Sequence, residues 1–320
     1  MAHGRAGTGV ARGDRAVTTP VTTPVTTPVT TPVTALVTTP APPVVAAATT
    51  AVRLHLRSTF ALAVASGFGV LAFGWPFLLH GKGVNVDAAH TSDAPWVFAI
   101  VLPLLLLVVL AELADGGMDA KAIALLGVLT ACGAALRPLG IDATGISPVF
   151  FLLIPAGRVL GRGFGFVLGT LTLFGSALLT GGVGPWLPFQ MLAAGWVGLF
   201  AGCLPPLRGR AEIAMLAAYG AAAGLLYGAV TNLWFWPFET TGLSPQISYV
   251  PGATWATELH HYAAFYVATS VGWDLTRAAG NVALVLIAGR AVLLALRRAA
   301  RRANFEPLVE FVPPNTAIGH

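Results

Sequence analysis

The chain has 320 residues, of which 56% are hydrophobic and only 10% charged, with a mean hydropathy of +0.77. A soluble domain carries about 25% charged residues, so the composition excludes a soluble globular protein and predicts an all-α integral membrane protein. The net charge of +5 and pI near 9.7 do not point to nucleic acid, because the basic residues sit at the ends of apolar segments rather than in one cluster.

Residues 1–50 form a low-complexity tail. Thr-Thr-Pro-Val recurs four times between Thr18 and Val33, and proline at every fourth position forbids helix and predicts an extended, disordered cytoplasmic segment. The first apolar segment lies too deep and runs too long for a signal peptide. Residues 51–117 are expected to hold two transmembrane helices, at about 59–79 and 95–114. A six-helix membrane domain follows at 118–300, with spans at about 121–137, 147–160, 163–180, 185–204, 212–236 and 275–298, then a cytoplasmic tail at 301–320. The third span stops at the breaker Arg137-Pro138-Leu139-Gly140, and the fourth is short for a crossing, which needs about 20 residues. Pro185 suits the first turn of the sixth.

The segment from Glu258 to Ala299 is too long for one crossing. As a single helix it would reach about 63 Å, against an apolar core of about 30 Å. Asp274-Leu275-Thr276 is the expected break, with Asp274 as N-cap and 258–273 a half-buried helix at the outer surface. This arrangement of about eight spans places both termini in the cytoplasm of a cell-membrane protein. Fifteen of the 18 Lys and Arg residues then fall on the inside, and only Lys82, Arg137 and Arg277 outside, as the positive-inside rule requires.

Few features carry chemistry. Cys132 and Cys203 lie within apolar spans, support no disulfide or zinc framework, and are expected to pack. Gly161-Arg162-Gly163-Phe164-Gly165 is glycine-rich, but no Gly-Lys-Ser/Thr follows, so it reads as a tight turn rather than a phosphate loop. Glu258, His260 and His261 form an acid–histidine cluster; adjacent histidines on a helix point about 100° apart and do not grip one metal. They read as polar groups lining an outer vestibule.

Arg137 stands on the arginine-poor side, where a membrane-facing guanidinium either snorkels or meets an acid or a ligand. Aromatic residues gather at the outer ends: Trp75, Trp96, Trp186, Trp234, Trp236, Tyr249, Trp255 and Trp273. Most interfacial tryptophans form a belt, but Gln190 and Asn232 stand near Trp186, Trp234 and Trp236, a mixture suited to an apolar pocket with a few polar fixings. Trp186 and Gln190, four apart, share a helix face. Two strips of small residues, Ala120/Ala124/Gly127/Ala131/Ala135 and Ala194/Gly198/Gly202, favour close helix contact, within the chain or with a partner.

Over about the last 200 residues the chain resembles the substrate-binding S component of energy-coupling factor (ECF) vitamin transporters, in particular cobalamin-type and related actinobacterial members. The resemblance rests on the six-span core, the small-residue spacing of its first helix, Arg137-Pro-Leu-Gly140, Pro148-Val-Phe-Phe-Leu-Leu-Ile-Pro155 and Gly184-Pro-Trp-Leu-Pro-Phe-Gln190. It implies a membrane receptor, not an enzyme, that needs no cofactor or metal of its own. Such a receptor captures a vitamin-like nutrient outside and docks on a transmembrane coupling subunit driven by two ABC ATPases. The family's Ala-xxx-Ala docking motif maps onto Ala120/Ala124 or onto Gly127/Ala131/Ala135. Arg137, Trp186, Gln190, Asn232, Trp234 and Trp255 are then the candidate substrate-binding residues, gated by loops 138–147, 181–185 and 237–257. The two extra N-terminal helices and the Thr/Pro tail depart from the family pattern. The alternatives are a membrane enzyme using Glu258, His260 and Asp274 at the outer surface, and a ligand-free membrane scaffold.

Overall fold

The computed structural model describes residues 56–78, 99–100, 102–103, 105–110, 120–139, 147–238 and 243–303. The Thr/Pro tail, much of the expected 95–114 span, the loop 140–146 and the C-terminal tail beyond 303 lie outside the described residues. Those described fold into α1 (Leu56–Leu78), α2 (Ala120–Leu139), α3 (Pro148–Leu160), α4 (Arg162–Thr180), α5 (Leu187–Ala201), α6 (Gly209–Phe235), α7 (Trp255–Thr269) and α8 (Val271–Ala303), with a 3₁₀ turn at Trp236–Phe238 after α6. The described part of the second apolar segment is also helical. A helix satisfies every backbone N–H and C=O within its own segment, which an apolar medium demands.

Among the described residues, α1, α2, α4, α6 and α8 are long and apolar enough to cross a membrane, while α3 and α5 have only 13 and 15 residues. Their lengths, about 20 and 22 Å, fall short of a bilayer core. The packing explains why: nine residues of α3 and twelve of α5 are buried. With α4, these helices form the interior of the bundle, and α1, α2, α6 and α8 pack around them.

Glycine sets how closely the inner helices approach. A Cβ on Gly165 or Gly157 would run into the carbonyl of Gly198, one on Gly198 into that of Gly165, and one on Gly169 into that of Ala194. The Ala194/Gly198/Gly202 strip thus serves packing within the chain. The other strip does not: Ala120, Ala124, Gly127, Ala131 and Ala135 of α2 are all exposed, and a Cβ at Gly127 would meet nothing. The opposite face of α2, with Leu126, Leu129, Gly133 and Ala134, is buried.

Several expected boundaries shift. The sixth span begins at Leu187 rather than Pro185, because the Leu187 amide closes a turn onto the Gly184 carbonyl and Pro188 takes the first helical turn instead. The break expected at Asp274–Thr276 lies at Ser270. Asp274 is no N-cap; it sits inside the first turn of α8, its carboxylate engaged by Arg277 and Tyr266. Pro138 lies within α2, which runs on to Leu139. The tight turn at Gly161 is as expected: that single residue, at φ 101°, separates α3 from α4. Cys132 and Cys203 are exposed, not packed, Cys132 because it falls on the open face of α2.

Ion pairs fasten one end of the bundle. Glu212, 2% exposed at the start of α6, takes Arg158 of α3 at 3.1 Å and Arg297 of α8 at 2.6 Å. Arg158 also donates to the carbonyls of Leu204 and Leu207.

Candidate functional site

The opposite end of the bundle collects the side chains of interest. Arg137, on the last turn of α2, is half-buried and donates from Nη2 to Oε1 of Gln190 on α5 at 2.8 Å. Gln190 lies one turn beyond Trp186, its amide bonded to the Trp186 carbonyl. The Trp186 ring meets Trp234 of α6 edge-on at 6.3 Å, and Trp234 packs on Phe189 and Phe238 at 5.8 and 5.4 Å. Four of the six candidate binding residues, from three separate helices, are therefore brought together.

The other two are not. Trp255 stands at the head of α7 and is 62% exposed, a position that suits an interfacial belt. Asn232 is half-buried on α6, where its carbonyl takes the Trp236 amide, and its side chain bonds neither Gln190 nor Arg137. Trp236 is fully buried, donates Nε1 to the Ile247 carbonyl at 2.8 Å, and centres an aromatic cluster with Tyr249, Tyr262 and Phe265.

Beside the Arg137–Gln190 pair lies a polar seam between α6 and α8 that sequence reasoning missed. Arg277 is paired with Asp274, donates to the Gly224 carbonyl and Ser147 Oγ at 3.3 and 3.4 Å, and lies 5.6 Å over the ring of Tyr227. Tyr266 donates to the same carboxylate at 2.9 Å, and Asn281 donates to the Gly220 carbonyl at 2.9 Å. Gly220, Gly224 and Gly228 form the facing strip; a Cβ at Gly228 would overlap the Asp274 carboxylate. Tyr227, whose ring lies beneath the Arg277 guanidinium, is also within electrostatic reach of Arg137. The available signal was a pair of opposite charges three residues apart inside an apolar run, matched by glycines at intervals of four on α6.

An apolar cavity of about 180 Å³ lies between α5 and α6, where Trp196, Phe200, Tyr219 and Tyr227 are among its lining. Tyr227, whose ring lies beneath Arg277, forms part of its wall. Elsewhere, Glu258 is 2% exposed, and its Oε1 accepts the Val250 amide at 3.1 Å while Oε2 has no hydrogen-bond partner among the described residues. His261, rather than His260, is the neighbour that acts on it, and His261 Nδ1 lies 2.9 Å from the Ser248 carbonyl. His260 is exposed, and no contact joins Glu258, His260 and Asp274 among the described residues.

Burial pushes the Glu258 carboxyl above its ordinary value of 4.5, against the opposing pull of the Val250 amide and His261. An acid that holds its proton more tightly when folded stabilises the fold at low pH, and this stabilisation is lost as pH rises through the elevated value. Melting of the purified chain should therefore fall as pH is raised from about 4.5, and Glu258→Gln should flatten that slope. An unchanged slope in the variant would remove Glu258 as its source.

No protein-family model, curated protein or solved structure matches the chain.

Proposed function

We propose that the chain is the solute-binding membrane subunit of an ECF-type importer. It has about eight spans, with both termini in the cytoplasm. It takes a vitamin-like nutrient from outside and passes it on by docking against a transmembrane coupling subunit powered by two separate ABC ATPases. The observation that carries this reading is the meeting, at one end of the bundle, of Arg137 and Gln190 with Trp186 and Trp234. A cluster of aromatic rings beside a few fixed polar groups is the composition of a small-molecule site.

The exposed small-residue face of α2 supports the second half of the proposal. A partner helix can come close only where side chains are small, and Ala120, Ala124, Gly127, Ala131 and Ala135 leave such a face open. Docking that responds to cargo requires the loaded and empty forms to differ in affinity for the partner.

The test separates the two faces. Ala124→Trp with Ala131→Trp should abolish co-purification with the coupling subunit while the isolated chain keeps its bound solute. Undiminished co-purification would contradict the proposed docking face. Turnover of a substrate by the isolated chain, abolished by His260→Ala, would favour a membrane enzyme instead.

A further inference from the structure

The polar region at the aromatic end carries more positive than negative charge. Among the described residues it holds Arg137 and Arg277 against the single carboxylate of Asp274. Asp274 is committed: Arg277 pairs with it and Tyr266 donates to it. Arg137 meets a neutral amide oxygen instead. Guanidinium desolvation is costly, and a carboxamide returns less of that cost than an anion does. Gln190 is only half-buried, and Trp186 beside it is 41% exposed, so this edge of the region is open to an incoming group. Asp274, by contrast, is 2% exposed.

We infer that Arg137 recognises an anionic group, a carboxylate or phosphate, on the bound molecule, with Gln190 holding the guanidinium in place until that group arrives. Arg277 keeps Asp274 occupied, so that this carboxylate does not compete with the ligand for Arg137. The planar fork of arginine matches the two oxygens of either anion, while the indoles of Trp186 and Trp234 take the apolar remainder. The inference rests on the receptor reading and narrows its substrate to acids. A free acidic solute and a phospholipid headgroup offer the same chemistry to Arg137, and the experiment tells them apart.

The full-length chain is purified from native membranes as wild type, Arg137→Gln and Arg137→Lys. The small molecules extracted from each are then compared by mass spectrometry, with thermal melting recorded to show that the variants are folded. The expected result is a water-soluble acid enriched in the wild type, lowered about tenfold or more in Arg137→Gln and partly restored in Arg137→Lys. A phospholipid with the same dependence would support the anion site and contradict the receptor reading. A neutral or cationic solute in the wild type, or an acid retained undiminished by a folded Arg137→Gln, would overturn the inference and leave the receptor reading standing. A wild-type protein that carries no small molecule at all would overturn both.

Discussion

Gly198→Leu should yield no monodisperse protein on size-exclusion chromatography after detergent extraction, and even Gly198→Ala should melt far below the wild type. At this position the neighbour is the backbone of Gly165, with Gly157 close by. Backbone cannot swing aside as the end of a flexible side chain does, so the inner helices α3, α4 and α5 must move apart. Overpacking a well-filled core costs about 1–3 kcal/mol where side chains can adjust, and a clash with main chain lies at or beyond the top of that range. Gly127→Leu is the matched control, since a Cβ there meets nothing within 4 Å; it should elute as the wild type does. A monodisperse Gly198→Leu protein would mean that the inner helices do not approach as described.

The second large effect is expected at the other end of the bundle. Glu212→Ala removes the single carboxylate shared by Arg158 and Arg297. Breaking a buried ion pair by deleting one partner costs about 3–5 kcal/mol, because the remaining charge stays buried and unpaired. Arg297 is 33% exposed and can turn to water, so the loss should lie near the lower end, about 3 kcal/mol. Arg158 has no such escape at 12% exposure, although the Leu204 and Leu207 carbonyls still hold it. Replacing Glu212 by Leu together with Arg158 by Met should recover much of the lost stability, since an apolar pair carries no desolvation cost. Melting in detergent reads both variants. A Glu212→Ala protein as stable as the wild type would show that the arginines are not buried with it.

Much of this was legible in the sequence, for identifiable reasons. Apolar runs and the glycine at Gly161 located the helices to within a few residues, since length and chain breakers are local properties. The pairing of Arg137 with Gln190 was visible only as two polar residues near helix ends on the same side. Their contact depends on how α2 and α5 pack, and that follows from Gly198 and its neighbours rather than from either residue. Asp274 was misplaced because an aspartate after an aromatic-rich helix has the local signature of an N-cap. Its actual partners, Arg277 and Tyr266, flank it on either side, and only the glycine strip of α6 makes room for the carboxylate between the helices. Trp255 and Trp234 both stood among the candidate binding residues. The fold separates them, because one heads a helix at the surface and the other faces the aromatic end of α5. Likewise, the two small-residue strips have the same spacing, and only tertiary packing shows that one is filled and the other open.

A receptor of this kind must hold its solute where Trp186 and Trp234 lie beside Arg137 and Gln190. Native mass spectrometry of the full chain, released from lipid nanodiscs prepared from its own membranes, tests this most directly. The predicted spectrum shows one small molecule per chain, with the adduct lost in a Trp234→Ala variant that elutes and melts as a folded protein. A bare chain in the wild type, or an adduct that survives unchanged in that variant, would contradict it.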